Sequence, residues 1–207
     1  MSERRRVGVL VSGSGSNLQA LLDAAAAPGF PAEIALVISN RPGAGGLARA
    51  EAAGVPALCI DHKAFEGRAP FEDALHAALI GHAIETVCLA GFMRVLTEGF
   101  VRRWAGRMLN IHPSLLPSFK GLHVHRQALE AGVRISGCTV HVVTPDLDDG
   151  PIIGQAAVPV LPGDTPETLA ARTLRAEHRL YPAALRAFLT GGAAGDEAEA
   201  DGILLST

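Results

Sequence analysis

The sequence has few cysteines and no long apolar run, and both absences narrow the class of protein. Three cysteines occur in 207 residues, at Cys59, Cys88 and Cys138, without the Cys-x-x-Cys spacing of metal and redox sites. Each lies in an apolar, strand-like run, so we expect three buried thiols in a reducing compartment. No stretch approaches the roughly 20 apolar residues that a membrane helix needs.

A strong excess of charge is also missing. The chain carries 18 Lys and Arg against 21 Asp and Glu, a formal net charge of −3, without a basic patch that would indicate nucleic acid. The basic run at residues 4–6 is followed by a short apolar run, residues 7–11, which is too brief for the core of a signal peptide. We therefore expect a cytoplasmic enzyme, a monomer or homodimer, with small-molecule substrates and no nucleic-acid or membrane partner.

Apolar runs of strand length alternate with helical patterns, which predicts βαβ units. The predicted class is α/β: a mostly parallel twisted sheet of about seven strands flanked by helices, with an antiparallel element in the C-terminal half. We expect one domain over residues 1–190 and a flexible, acid-rich tail over 191–207. The predicted strands are residues 6–11, 34–39, 57–60, 86–90, 108–111, 137–143 and 152–160, and the predicted helices are 17–27, 44–53, 71–83, 125–130 and 166–189.

The last predicted helix carries two local signals. Asp164 or Thr165 is suited to cap its N-terminus, and Pro166 is suited to its first turn. Pro182 lies well inside the same segment and is expected to kink or interrupt the helix.

A glycine-rich loop, Ser12-Gly13-Ser14-Gly15-Ser16-Asn17, follows the first predicted strand and opens the first helix. Backbone N–H groups and the positive end of the helix dipole favour an anion there, which indicates a phosphate site; the alternative is a tight turn capped by Asn17. A dinucleotide site needs a third glycine where Leu18 lies, and an acid after the second strand. A phosphate monoester is therefore the simpler ligand. Arg41 could meet a 2′-phosphate, so an NADP-dependent oxidoreductase remains an alternative, as does a non-catalytic nucleotide-binding module.

Three polar side chains of complementary type lie in Asn110-Ile111-His112-Pro113-Ser114-Leu115-Leu116-Pro117 and Asp146-Leu147-Asp148-Asp149-Gly150-Pro151. An acyl carbon attacked by an amine develops an oxyanion, which a protonated imidazole and a carboxamide N–H stabilise when they are fixed in place. A carboxylate keeps the imidazole cationic, because an ordinary His pKa of about 6.5 lies close to neutral pH. Asn110, His112 and Asp148 thus predict an oxyanion site; the alternative is that His112 is a core residue at a strand end.

A metal site and a serine nucleophile are weaker interpretations. His123 and His125, with His112, His141 and Asp148, could supply metal ligands. Alternate residues share a face only on a strand, whereas residues 121–130 look like a loop entering a helix, so we expect no metal. Ser114 lacks the Gly-x-Ser-x-Gly elbow of a nucleophile and is expected to form a turn.

The string at residues 110–117, with Gly121 just beyond and Asp148-x-Gly150 later, resembles the active-site signature of the folate-dependent formyltransferases. The resemblance extends over residues 7–188 and includes the glycine loop and the Leu-Ala-Gly-Phe-Met-Arg run at residues 89–94. It implies a Rossmann-like fold and transfer of the formyl group of 10-formyltetrahydrofolate, a co-substrate, by direct attack and an oxyanion intermediate. Within this family the chain most resembles the branch that formylates the amine of N1-(5-phosphoribosyl)glycinamide in de novo purine (IMP) biosynthesis, and length favours the same branch. A formyltetrahydrofolate hydrolase is a further alternative.

The resemblance also implies individual roles. Asn110 and His112 would polarise the formyl oxygen, and Asp148 would keep His112 protonated and help relay the amine proton through water. The N-terminal half would bind the nucleotide phosphate, and the C-terminal half would be catalytic and bind folate. The nucleotide site would consist of Gly15, Ser16, Asn17, Leu174, Arg175, Ala176 and Glu177, with Glu177 on the ribose hydroxyls. The folate site would consist of Arg68, Met93, Arg94, Val95, Leu96, Asn110, Thr144, Pro145, Asp146, Leu147 and Asp148.

One departure from the family pattern lies beside the predicted catalytic carboxylate. Asp149 stands where the family often has glycine, and Pro145 lies in the same loop. We expect this second carboxylate to raise the pKa of one member of the Asp148–Asp149 pair, and the mobility of the loop to differ.

Overall fold

The computed structural model of the chain describes residues 4–191, 197–198 and 204–206. The chain divides after Asn110 into two compact units. A single domain over residues 1–190, with the division of labour between its halves given above, stays a prediction. Most of the predicted flexible tail lies outside the described residues.

The first unit contains a parallel sheet. Its strands are β1 (Arg5–Val11), β2 (Ala32–Ser39), β3 (Ala57–Cys59), β4 (Thr86–Leu89) and β5 (Met108–His112), which ends two residues past the division. Their order is β3-β2-β1-β4-β5, with every pair parallel. Strands β1, β2 and β4 are buried over most of their length. Burial on both faces explains why these strands read as nearly continuous apolar runs in the sequence.

Four helices belong to the first unit: α1 (Ser16–Ala26), α2 (Gly45–Ala52), α3 (Arg68–Gly81) and α4 (Glu98–Arg103), with a 3₁₀ turn at His62–Ala64. The first three were predicted to within three residues of their observed ends. Helix α4 was not predicted. It begins after Thr97, whose hydroxyl oxygen accepts a hydrogen bond from the Phe100 backbone N–H at 3.3 Å.

The second unit combines an antiparallel hairpin with a long helix. It contains α5 (Val124–Glu130), β6 (Ile135–Val142), β7 (Ile152–Pro159), α6 (Pro166–Thr190) and the short strands β8 (Glu197–Ala198) and β9 (Leu204–Ser206). The β6–β7 pair is antiparallel, β9 pairs with β7, and β8 pairs with β9, also antiparallel. The predicted α/β class, mostly parallel first and antiparallel later, is confirmed. Across the described ranges, none of the helices is both long and apolar enough to cross a membrane.

Two expectations about single residues are wrong. Cys88 and Cys138 are buried as predicted, but Cys59 is exposed, because β3 lies at the edge of the sheet. Pro182 does not interrupt α6, which runs unbroken from Pro166 to Thr190, so the interruption is wrong and the alternative of a kink stays a prediction. The residues around it, Leu180, Tyr181, Ala184 and Leu185, are all fully buried. Packing of this apolar face outweighs the single helical hydrogen bond that a proline removes.

Asp164 organises the turn before α6, while Thr165 provides the cap. The Asp164 carboxylate accepts hydrogen bonds from Leu161 N–H at 2.7 Å, from Thr168 Oγ1 at 2.8 Å and from the Arg172 guanidinium at 2.7 and 2.9 Å. Its side chain is 5% exposed. These donors, Arg172 foremost, hold the pKa of Asp164 well below its ordinary value. The carboxylate is therefore needed in its charged form.

We expect Asp164→Asn to lower the free energy of unfolding at pH 7 by about 2 kcal/mol, because hydrogen bonds to charged groups contribute about 1.5–3 kcal/mol. The folded-state pKa lies below the unfolded value, so this stabilisation is complete above the unfolded pKa of about 3.9 and is lost as the pH falls through the folded value. Urea unfolding should show a smaller difference between variant and wild type at about pH 3 than at pH 7. Equal differences at both pH values would contradict this role.

Candidate active site

Strand β5 places two of the predicted catalytic side chains. Asn110 and His112 lie two residues apart on it, so the alternation of a strand puts them on the same face. Leu89 of β4 pairs with Asn110 in the parallel register. His112 is 5% exposed, whereas Asn110 is half-buried. The two candidate oxyanion donors therefore share one rigid element.

Both ring nitrogens of His112 face oxygen acceptors. Nδ1 lies 3.4 Å from Asp148 Oδ2, and Nε2 lies 3.0 Å from the Phe119 carbonyl oxygen. A carboxylate and a carbonyl only accept hydrogen bonds, and a neutral imidazole carries a single N–H. A neutral ring can therefore donate to only one of the two acceptors, and the contact with Asp148 is an ion pair only when His112 is protonated. The side chains of His112 and Asp148 are 6% and 9% exposed, so solvent screens this pair little.

Asp148 is held in position by backbone groups. Gly121 N–H donates to Asp148 Oδ2 at 3.0 Å, and Asp148 has a φ of +49°, a left-handed conformation that Asp tolerates better than most residues. At Gly150, a Cβ atom would lie 1.7 Å from the Val142 carbonyl oxygen. A side chain there would push the loop away from the end of β6. The Asp-x-Gly spacing therefore has a structural cause, the close return of the chain that presents Asp148.

His141 is a further group of this site whose role the sequence interpretation missed. Its Nε2 lies 3.8 Å from Asp148 Oδ1, and its Nδ1 lies 3.1 Å from the Val142 carbonyl oxygen. Burial lowers the pKa of His141, against the smaller opposing effects of the Val142 hydrogen bond and the Asp148 charge. His141 is therefore neutral at pH 7 and donates from Nδ1 to Val142. The alternation of buried polar residues Thr139 and His141 on β6 is the sequence signal that could have identified it.

The pKa of Asp149 is shifted in the direction opposite to the one expected from the sequence. Its carboxylate forms an ion pair with Lys120, and its side chain is 55% exposed. The hydrogen bond from Lys120 lowers the pKa of Asp149. The expectation that neighbouring carboxylates raise a pKa is thus wrong for Asp149, since a cation compensates its charge. Asp148 and Asp149 thus lie in different environments, the first beside His112 and the second beside Lys120.

The glycine loop joins β1 to α1 in the first unit. Gly15, with a φ of +74°, is the N-cap of α1, and no side chain caps the helix, so the alternative of a turn capped by Asn17 is not observed. A Cβ atom at Gly15 would lie 2.6 Å from Gly46 Cα at the start of α2, and Gly46 N–H donates to the Gly13 carbonyl at 3.1 Å. The start of α2 thus packs directly against the loop. A helix start without a side-chain cap is suited to an anionic group.

We expect Gly15→Ala to raise the KM for a phosphorylated substrate at least about tenfold and to lower stability by about 1–3 kcal/mol. The alanine would be strained at positive φ and would collide with Gly46, so the loop must move. Steady-state kinetics with each substrate varied in turn, together with urea unfolding, would measure both effects. Gly13→Ala is a matched control, because a Cβ atom there meets nothing within 4 Å. Equal effects of the two substitutions would refute the explanation.

The remaining predicted nucleotide residues lie on α6, in the second unit. They form one turn, in which Ala176 is fully buried, Glu177 is 7% exposed and Arg175 is exposed. A carboxylate this deeply buried is rare in a folded protein unless a partner compensates it. The structure therefore places Gly15, Ser16 and Asn17 in one unit and Leu174, Arg175, Ala176 and Glu177 in the other.

The predicted folate residues lie in three places. Arg68 begins α3, residues 93–96 follow β4 in the first unit, and residues 144–148 follow β6 in the second. Met93, Val95 and Leu147 are 60%, 62% and 58% exposed, which is high for large apolar side chains. Exposed apolar groups on loops are typical of ligand-binding walls. Within the part of the chain that the structure describes, no group of three His, Cys, Asp or Glu is arranged to hold a metal ion.

A family model described as formyl transferase matches residues 5–185, and the chain belongs to that family. Phosphoribosylglycinamide formyltransferase of Escherichia coli (strain K12) is 46% identical over 88% of this chain and 86% of that protein. The crystal structure of phosphoribosylglycinamide formyltransferase from Brucella melitensis is similar with a TM-score of 0.88 and 57% identity, covering 91% of this chain and 97% of that one.

A second group of relatives is much longer. The trifunctional purine biosynthetic protein adenosine-3 of Homo sapiens is 53% identical over 91% of this chain but only 19% of its own length. The chain thus spans about a fifth of these curated relatives. Glycinamide ribonucleotide transformylase 1 from Symbiobacterium toebii, in contrast, matches with a TM-score of 0.90 and 48% identity over 100% of this chain and 96% of that one.

Proposed function

We propose that this protein transfers the formyl group of 10-formyltetrahydrofolate to the amine of N1-(5-phosphoribosyl)glycinamide in IMP biosynthesis, in the cytoplasm. The names of the relatives of similar length support this substrate pair. The observation that carries the chemistry is the buried His112–Asp148 pair, in which both imidazole nitrogens meet acceptors. Such a pair supplies a fixed positive charge where an oxyanion forms.

The proposed reaction is a direct attack. The substrate amine adds to the formyl carbon, and the carbonyl electrons move to the oxygen, which Asn110 and the His112 imidazolium stabilise. The oxyanion then re-forms the C=O bond, and the bond from the formyl carbon to N10 breaks with its electron pair on N10. The proton lost by the amine passes through water and Asp148 to N10 of the folate. No covalent enzyme intermediate is required. Catalysis then depends on placing the two substrates and on preorganised donors.

One consequence concerns the Phe119 carbonyl oxygen. It lies 3.0 Å from His112 Nε2, while Nδ1 faces Asp148. A formyl oxygen that binds His112 has to replace one of these two acceptors. Because Asp148 is charged and holds the imidazolium, the neutral Phe119 carbonyl is the weaker partner. We infer that the formyl oxygen replaces Phe119 at Nε2.

The remaining predicted residues fall into two groups, one for each substrate. The start of α1 at Gly15, Ser16 and Asn17 suits the phosphate, and the buried Glu177 carboxylate suits ribose hydroxyls, which donate hydrogen bonds. The exposed apolar side chains Met93, Val95 and Leu147 suit the pteridine ring, with Arg68 available for a folate carboxylate. 10-Formyltetrahydrofolate acts as a co-substrate, and the proposed reaction uses no metal.

One assay separates this function from its alternatives. The purified protein is incubated with 10-formyltetrahydrofolate, with and without phosphoribosylglycinamide, and both folate deformylation and the formylated glycinamide product are followed. We expect equal rates of the two processes, and little deformylation without the acceptor. Deformylation that does not need the acceptor would indicate a hydrolase. Binding of NADPH that is abolished by Arg41→Ala, with no formyl transfer, would indicate an oxidoreductase.

A further inference from the structure

Two buried side chains hold the ends of residues 93–96, which we call the folate loop. At its start, the Ser12 hydroxyl oxygen accepts a hydrogen bond from Met93 N–H at 2.8 Å. At its end, Glu72 Oε1 accepts one from Thr97 N–H at 2.8 Å, and Oε2 accepts one from the Thr97 hydroxyl. Ser12 and Glu72 are both 4% exposed. Neither residue is among the nucleotide or folate contacts assigned above; Ser12 opens the glycine loop, whose proposed phosphate contacts begin at Gly15.

The Ser12 hydroxyl is itself fixed in direction. It donates its only proton to Asn40 Oδ1 at 2.6 Å, and Asn40 is fully buried. The lone pairs of the Ser12 oxygen are therefore left to accept from Met93. The Ser12 backbone N–H also donates to the Gly91 carbonyl at 3.1 Å. Two hydrogen bonds thus tie the first residue of the glycine loop to the segment that enters the folate loop.

Glu72 performs the same task at the other end. A buried carboxylate is costly unless hydrogen-bond donors satisfy it, and here the two Thr97 groups do so. Thr97 is also the N-cap of α4, so its position sets where the loop ends. Glu72 lies on α3 four residues after Arg68, which puts both on the same side of that helix. One helix therefore carries a candidate folate ligand and the anchor of the folate loop.

The folate loop itself has no regular secondary structure between these anchors, and Met93 and Val95 expose most of their side chains. Segments without regular secondary structure are more mobile than helices and strands, so hydrogen bonds at their ends restrict their conformation. We propose that Ser12 and Glu72 are positioning residues that set the conformation of residues 93–96 for folate binding. The inference rests on the proposed function and deepens it, because it names what determines the affinity for the folate substrate.

The test compares Ser12→Ala, Glu72→Ala and Glu72→Gln in the full-length chain. Kinetics are measured with each substrate varied, and binding of folic acid is measured by calorimetry. We expect the folate KM to rise about three- to tenfold in Ser12→Ala and tenfold or more in Glu72→Ala, with kcat and the nucleotide KM within about twofold of wild type. The Kd of folic acid should rise in parallel. Glu72→Gln keeps an acceptor for Thr97 N–H and should restore most of the affinity.

A buried serine outside this network serves as the matched control. Ser136 on β6 is also 4% exposed, and Ser136→Ala should leave both KM values unchanged. An unchanged folate KM in both Ser12→Ala and Glu72→Ala would overturn the inference. An equal rise of both KM values would also overturn it, because the effect would then not be specific to folate. If the wild type transferred no formyl group at all, the proposed function would fail instead, which is a distinguishable result.

Discussion

Replacement of His112 by alanine is expected to reduce kcat about 100- to 1000-fold, because removal of one preorganised oxyanion donor typically costs that much. The imidazolium is the only charged donor that we assign to the formyl oxygen, and its burial beside Asp148 makes its field strong. Both KM values should change much less, since the donor acts mainly on the charge that develops during the reaction. Single-turnover measurements with saturating substrates would report the chemical step directly.

The same experiment includes two comparisons. Asn110→Ala should fall in the same range, because its amide is the second donor on β5. His82→Ala is the control: His82 is the C-cap residue of α3, and its Nδ1 lies 2.9 Å from the Ala78 carbonyl oxygen, within its own helix end. Near-wild-type kcat in a correctly folded His112→Ala protein would refute the assigned role. Thermal unfolding of each variant distinguishes loss of chemistry from loss of fold.

The pattern of buried residues along each strand and helix explains which parts of the fold could be predicted. Strands β1 and β2 are buried on both faces, so their residues form unbroken apolar runs that end at polar turns. Helix α4, in contrast, has six residues, too few to show a helical period, and depends on the Thr97 cap. Strands β8 and β9 have two and three residues and exist through pairing, β9 with β7 and β8 with β9. Such pairing is non-local and leaves no local sequence pattern.

The candidate site likewise has features that the sequence shows and features that only the structure shows. Side-chain chemistry is visible in a sequence, so Asn110, His112 and Asp148 could be singled out as a donor, a cation and an anion. The direction in which a backbone carbonyl points is not visible in a sequence. Phe119 has a φ of +55°, and its carbonyl oxygen lies against His112 Nε2. A carbonyl has no residue signature, so this contact could not be inferred. The burial that makes His141 neutral likewise appears only once β6 and the Asp148 loop are in place.

The Lys120–Asp149 ion pair shows why adjacent residues must be considered separately. In the sequence Asp148 and Asp149 form an acidic pair, and like charges in contact raise a pKa. In the structure Asp148 is nearly buried against His112, whereas Asp149 is exposed and paired with Lys120. Two neighbouring carboxylates thus have different tasks. One faces His112, and the other pairs with Lys120 of the loop between β5 and α5.

This difference leads to the second large prediction. We expect Asp148→Asn to reduce kcat on the order of 100- to 1000-fold, because it removes both the anion that holds the His112 imidazolium and the proposed proton carrier. The substitution preserves size and leaves an amide oxygen for the Gly121 N–H, so the loop should keep its conformation. Rates of formyl transfer across pH 6 to 9 would measure the loss, and NMR of the His112 ring would report its protonation.

Asp149→Asn provides the matched control, since it makes the identical chemical change one residue away. Its side chain is 55% exposed and contacts only the Lys120 cation among the ion pairs of the described chain, and exposed ion pairs contribute little. We expect its kcat to remain within about twofold of wild type. If Asp148→Asn and Asp149→Asn lost activity equally, the total charge of the loop would be responsible, and not the position of Asp148. Suppose that only Asp148→Asn loses activity and that the His112 ring of this variant is neutral at pH 7. The Asp148 carboxylate then acts through the imidazole, as the 3.4 Å contact indicates.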